Sequence, residues 1–187
     1  MLRGHRLRPD LVLRRRHEVL LEVGGAEEHR ALRRLAGDDP GTADEVELET
    51  HVRARLVVEV VDFRPGTAWV ADRLVGLFDA YDVHTIALDP GGPAGVLVPA
   101  LEAQGLPLSK LQLRDVTSSA AGLVQAVRTG SIRHKLDASL DAAVEGARRR
   151  SVGDGAWTVS RTKSTVDVSP LIAATFALYS HPDSYAR

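Results

Sequence analysis

The sequence predicts an α/β layered domain built around a substantially parallel central sheet. Two observations carry this. From Val46 onward, short β-branched segments alternate with helix-length amphipathic ones, and Gly or Pro marks nearly every junction between them. Size is the third observation: 187 residues suffice for one hydrophobic core, or one core plus an arm.

The arm comes first. Residues 1–45 are arginine-rich and unpatterned, with Arg14 to Arg16, Glu27-Glu28, Arg33-Arg34 and Asp38-Asp39 interrupting any apolar stripe. Helices over 11–21 and 26–35 fit this stretch, and GDDPGTADE (37–45) reads as a linker. The domain proper is placed at 46–187. Residues 46–62 (VELETHVRARLVVEVVD) alternate and then become a β-branched run, which predicts one long strand or half of a hairpin. RPGT (64–67) is a turn, and Thr67 is placed to cap a helix over 68–81 with Trp69, Val70, Leu74 and Leu77 near one face.

A short buried strand over 84–88 follows and ends in Asp89-Pro90-Gly91-Gly92. A helix over 93–104 closes at Gly105. A strand over 109–114 leads to Asp115, in position to cap a helix that runs to 129 and stops at Gly130. Residues 131–134 are extended, and 136–150 predict a helix with a basic end at Arg148 to Arg150. A strand lies around 157–161. The last helix starts at Ser169-Pro170, with proline in the first turn, and runs to 180.

Composition narrows the chemistry. With no cysteine, thiolate metal sites, disulfides and cysteine nucleophiles are excluded. The formal charge of -1 promises no polyanion partner, although 24 basic residues (21 of them Arg) leave room for a local basic face. Aromatic content of 4% argues against a base-stacking platform. No apolar run reaches membrane-spanning length, and the first residues do not form a secretory signal, so the expected location is the cytosol. Neither a G-x-x-x-x-G-K-[ST] phosphate loop nor a G-x-S-x-G elbow occurs, which predicts no classical ATP site and no ordinary serine hydrolase.

Two acids stand out. Asp89 ends an apolar strand, where open α/β sheets collect their functional groups, and the glycines after it leave room for a phosphate. Asp-Pro-Gly-Gly is equally an ordinary turn, and both readings remain open. Asp167 stands at the entrance of the last helix, where capping alone accounts for it. As a pair, such carboxylates are hard oxygen ligands suited to Mg²⁺ or Mn²⁺, but a two-ion site ordinarily draws on three or more acids. His134, Arg148, Arg149, Arg150, Arg161 and Lys163 are candidate phosphate or DNA contacts. His51 and His84 have no partner at ligand spacing and read as filler.

Four segments in order carry a resemblance: VVDFRPGTAWVADRL, TIALDPGGPAGVLVPALEAQGLPL, VRTGSIRHKLDASLDAAVEGARRR and WTVSRTKSTVDVSPLIAATFAL. Together they resemble the C-terminal nuclease domain of the large terminase subunit of tailed bacteriophages, of the actinobacterial phage and prophage type, over about residues 57–180. The resemblance implies an RNase H-like fold, a mixed central sheet flanked by helices. It implies a metal-dependent endonuclease that cuts concatemeric DNA for genome packaging, using Mg²⁺ or Mn²⁺ in a two-metal arrangement. Its partners would be double-stranded DNA and, in a full-length relative, the terminase small subunit and portal. The setting is the bacterial host cytosol. By position, Asp89 matches the family's second acid, Asp167 its last acid and His134 its common histidine.

The sequence departs from that pattern at the front. The family's first acid, on a G-x-D-x-S strand, has no counterpart: Asp38, Asp39 and Asp44 are in a loop-like context and Asp62 is in the wrong segment. The ATPase motor that precedes the nuclease is also missing. The expectation is therefore a fold incomplete at its first strand, from a degenerate prophage fragment. The alternative function is a catalytically inactive terminase remnant that binds DNA or packaging partners.

Overall fold

The structure is a computed structural model and describes residues 56–181. The expected arm, the acids Asp38, Asp39 and Asp44, and residues 46–55 of the first expected strand lie outside the described residues.

Among the described residues six strands and five helices follow one another, in the expected alternation up to α4 and with one added strand after it. β1 (Leu56–Val58) leads to α1 (Val70–Ala80) and β2 (Ile86–Leu88). A 3₁₀ turn (Pro93–Leu97), α2 (Val98–Ala103) and β3 (Leu108–Lys110) come next. Then come α3 (Leu113–Arg128), β4 (Ile132–His134) and α4 (Ala138–Gly146). A hairpin of β5 (Arg149–Val152) and β6 (Ala156–Val159) precedes α5 (Ser169–Ser180). Among the described residues no helix is long and apolar enough to cross a membrane.

The strands pair as three two-stranded ladders among the described residues, where one mixed sheet was expected. β1 runs parallel to β4 with Leu56 opposite Ile132 and Val58 opposite His134. β2 runs parallel to β3 with Leu88 opposite Lys110. β5 and β6 are antiparallel, closed by Gly153-Asp154-Gly155 with φ of +56° and +83° at the two glycines, conformations that a Cβ would strain. The two parallel ladders exchange no strand pairing with each other, and both lie against α5.

α5 is the centre of the core. Its sequence SPLIAATFALYS is apolar nearly all round, which suits a helix enclosed by neighbours. Leu171, Ile172, Ala174, Phe176 and Leu178 are buried against α3, α4 and the β1 and β2 strands. Thr175, also buried, donates its hydroxyl to the Leu171 carbonyl at 2.7 Å and so avoids an unpaired polar atom. α3 turns Val116, Ala120, Leu123 and Val127 inward at helical spacing, with Ser119 between them donating to the Val116 carbonyl at 2.8 Å.

Several boundaries differ from the sequence expectation, each for a local reason. Thr67 does not cap α1 with its side chain; its carbonyl accepts from the Val70 amide at 3.1 Å, and Trp69 is the first flanking residue. Asp115 is not the cap of α3 but its third residue. Gln112 is the cap, and Asp115 Oδ2 accepts from the Gln112 amide at 2.8 Å in a reciprocal capping box. The helix expected over 93–104 splits into the 3₁₀ turn and α2.

The largest correction is at the basic run. The helix expected to reach Arg150 stops at Gly146, and Arg149 and Arg150 belong to β5. Pairing with β6 overrides the good helix propensity of Ala-Arg-Arg-Arg. The helix also starts later than expected, because Asp137 takes the cap and accepts from the Ser139 and Leu140 amides, both at 2.9 Å.

Candidate active site

Asp89 follows β2 directly, beyond the carboxyl end of a parallel pair. Its half-buried carboxylate is fixed by one bond: the Gly91 amide donates to Oδ1 at 2.8 Å. The Gly92 amide donates to the Asp89 carbonyl at 3.1 Å, completing the turn. Oδ2 makes no hydrogen bond or ion pair with the described residues. The two glycines keep its surroundings open, since a Cβ on Gly91 or Gly92 would stand 3.3 or 3.2 Å from the carboxylate oxygens. The turn and the functional reading therefore describe the same atoms: one oxygen closes the turn and the other has no partner among the described residues.

Asp167 lies two residues before the first residue of α5, with Val168 between them, and is exposed. The Ser169 amide donates to its Oδ1 at 2.8 Å. Hydrogen bonding from the Ser169 side chain and amide, with the nearby Arg161 charge, holds the carboxyl below the usual carboxylate range against a smaller burial effect. Arg161 itself reaches Ser169, with Nη1 3.4 Å from the hydroxyl oxygen. Asp167, Ser169 and Arg161 thus form one cluster at the entrance of α5.

The structure brings the basic residues together by a different route from the one expected. Ser160 donates its amide to the Arg148 carbonyl at 2.7 Å, extending the β5–β6 ladder by one step. The Arg148 amide donates to Ser164 Oγ at 3.0 Å, and the Thr165 amide to the Gly146 carbonyl at 3.2 Å. Exposed Arg161 and Lys163 are thereby carried on a segment stitched to the one that carries Arg148 to Arg150.

The three arginines of that run do not act as one patch. Arg148 Nη1 donates back to the Ala147 carbonyl at 2.9 Å. Arg149 lies over the Trp157 ring, 4.0 Å from its centroid, on one face of the hairpin, while Arg150 pairs opposite Thr158 on the other.

His134 ends β4 with its Nδ1 3.1 Å from the Lys135 carbonyl oxygen. It contributes the last and smallest of the effects that keep Asp137 ionised, after the Ser139 hydroxyl and the Leu140 amide. Asp62, set aside at sequence level, is occupied: Arg64 Nε and Nη2 donate to its two oxygens at 2.8 and 2.5 Å, and Arg73 Nε lies 3.3 Å away.

No hydrogen bond or ion pair links Asp89 to Asp167, although the helix that follows one packs on the strand that precedes the other. Among the described residues no three His, Asp or Glu side chains gather at one point. The donor type fits a hard divalent cation: Asp89 spends one oxygen on a backbone amide and keeps the other unpartnered among the described residues, whereas Asp167 already takes both the amide and the hydroxyl of Ser169. The donor number falls short of a two-ion cage.

Sequence reasoning missed the Arg149–Trp157 stack, the Ser160–Ser164 stitching and the Asp137 cap. Only the last had a visible signal, an Asp two residues ahead of a Ser in LDASL.

The sequence matches no protein-family model and no curated protein. Solved structures are similar in fold. The large terminase of bacteriophage HK97 aligns at a TM-score of 0.52 and 18% identity, over 60% of this chain and 24% of that one. The large terminase nuclease of thermophilic phage G20c aligns at 0.50 and 15% identity, over 62% of this chain and 64% of that one. The described residues have the RNase H-like fold of large terminase nucleases. The chain spans about a quarter of the HK97 protein and under two thirds of the G20c nuclease.

Proposed function

We propose that this chain, within the terminase-nuclease fold, is a metal-dependent DNA endonuclease of the kind that cuts concatemeric phage DNA for packaging. The nuclease domain is residues 46–187, and residues 1–45 are an unassigned arm. The observation that carries the reading is Asp89: an acid just past a parallel strand, with one oxygen pinned in a glycine turn and the other open. Asp89 and Asp167 would hold Mg²⁺ or Mn²⁺. When bound, such ions activate water and stabilise the leaving oxygen in phosphodiester hydrolysis.

The protein's own part is positional. The Ser169 hydroxyl and amide, and then the Arg161 charge, lower the Asp167 carboxyl, and the amide fixes its Oδ1 at the entrance of α5. Arg150, Arg161 and Lys163 offer charge to a DNA backbone. His134 serves as a further phosphate contact. The place of action is the host cytosol, and in a full-length relative the small subunit and portal would be partners.

One observation favours a second reading. The absence of a three-acid group among the described residues fits a remnant that binds DNA or packaging partners without cutting. Nicking of supercoiled plasmid in Mn²⁺ and in EDTA, with Asp89→Ala and Asp167→Ala alongside, separates the two. Metal-dependent nicking lost in both variants supports the nuclease, whereas a folded protein that binds DNA and never nicks it supports the remnant.

A further inference from the structure

Two glycines are closed to any side chain, and each stands behind a segment that carries one of the proposed ligands. Gly95 lies in the 3₁₀ turn after Asp89. A Cβ built there would come within 2.1 Å of the Pro90 carbonyl oxygen and 2.9 Å of the Pro90 carbonyl carbon. Its φ is not in the left-handed region, so the barrier is contact rather than backbone conformation. The obstacle is main chain, joined directly to Asp89, and has no rotamer through which to yield.

Gly146 ends α4 and is buried. A Cβ there would meet Val166 Cγ2 at 2.4 Å, Thr165 Oγ1 at 2.9 Å and Val166 Cγ1 at 3.0 Å. The same glycine's carbonyl receives the Thr165 amide at 3.2 Å, so the 165–166 segment is both bonded to Gly146 and pressed against it. Asp167 is the next residue. Val166 is β-branched and stiff about its first torsion, so added bulk at 146 must move the segment rather than one methyl.

We infer that Gly95 and Gly146 are positioning residues that set where the carboxylates of Asp89 and Asp167 stand. The inference rests on the proposed role of those acids as metal ligands. Neither glycine has a side chain to offer a metal or DNA; each would act through the segment packed on it, as supporting residues behind metal ligands do.

The two sites differ in a way that can be tested. The severest obstacle to a side chain at 146 is the Val166 side chain, so removing it should relieve most of the crowding, with Thr165 Oγ1 at 2.9 Å still to give way. The obstacle at 95 is a backbone carbonyl, so no substitution of a neighbour's side chain should do so.

The experiment measures Mn²⁺ binding to the full chain from the free-ion spin resonance signal, alongside thermal melting, with no cleavage step involved. Asp89→Asn and Asp167→Asn report whether the acids are ligands at all. Gly95→Ala and Gly146→Ala should each weaken Mn²⁺ binding about tenfold or more while the melt stays cooperative. Val166→Ala added to Gly146→Ala should recover part of the lost affinity, the Thr165 Oγ1 contact at 2.9 Å being left in place. Should either alanine variant fail to fold, the milder Gly92→Ala, which crowds Asp89 Oδ2, and Val166→Ala alone, which loosens the 165–166 segment, take their places with smaller losses expected.

If Asp89→Asn and Asp167→Asn leave Mn²⁺ binding unchanged, the ligand assignment fails and this inference with it. If they abolish binding while the glycine variants melt earlier but bind Mn²⁺ like the parent, the glycines are structural only and the inference alone is overturned.

Discussion

Tyr179 donates its hydroxyl to Asp115 Oδ1 at 3.1 Å, joining the end of α5 to the capping box at the start of α3. The other oxygen of the same carboxylate takes the Gln112 amide, so Asp115 serves helix start and helix packing together. Tyr179→Phe keeps the ring and removes the link. It should cost about 1 kcal/mol in urea unfolding, the usual net value of one partly buried hydrogen bond. Burial first, then the Asp115 hydrogen bond and charge, push the Tyr179 hydroxyl above its ordinary value. A folded-state pKa above the unfolded one gives stability that is complete below about pH 10 and is lost as pH rises through the folded value. The gap between parent and Tyr179→Phe should therefore narrow in alkali; a gap constant from pH 7 to 11 would contradict the link.

Asp137 has the opposite sign. Its carboxyl is held low by the Ser139 hydroxyl, the Leu140 and Ser139 amides and finally His134. The stability it contributes is present above about pH 4, the unfolded carboxylate value, and lost as pH falls through its lower folded value. Asp137→Ala should cost about 1 kcal/mol at neutral pH, as removal of a helix cap does. The difference from the parent should shrink below pH 4. Chemical denaturation at pH 7 and pH 3 checks both statements.

β1 has β4 on one edge, and among the described residues nothing pairs with its other edge. The chain leaving it carries Val61 and Phe63, 51% and 44% exposed. Unpaired edges continued by apolar residues invite association. The isolated protein should self-associate in sedimentation velocity at tens of micromolar, and Val61→Lys with Phe63→Ser should reduce that. A monomer at all concentrations contradicts the expectation.

The alternation of strand and helix was legible because each element carries its own period and its own stop. Gly105 and Gly130, both at positive φ, close α2 and α3 where the sequence placed the stops. Asp89 and Asp167 were legible for the same reason: each stands at an element end, where a lone acid is conspicuous. What escaped depends on contacts between distant segments. Arg148 to Arg150 have the composition of a helix end, and only the antiparallel partner 156–159 makes two of them strand residues. Gly146 reads as an ordinary helix stop until Val166 is seen against it. Ladder division is likewise a matter of which edges meet, and no local pattern encodes that.

The basic residues near the hairpin make unequal predictions. Each phosphate contact removed should lower the slope of log affinity against log salt by about 0.9 for duplex DNA. Arg150, Arg161 and Lys163 are exposed and do not stack on an aromatic ring, so Arg150→Gln, Arg161→Gln and Lys163→Gln should each reduce the slope by up to that amount while leaving the melt unchanged. Arg149 differs because its guanidinium lies over Trp157. Arg149→Gln should cost about 0.5–1 kcal/mol of stability through the lost cation–π contact and alter the Trp157 fluorescence even without DNA. Arg148 differs again: its side chain donates to the Ala147 carbonyl at 2.9 Å, and Arg148→Gln should change the slope least. Anisotropy titrations of a labelled duplex in EDTA, between 50 and 300 mM salt, order the residues by slope. An equal drop at all five positions would mean a diffuse positive field rather than defined contacts, and no drop at any would remove DNA from this face of the protein.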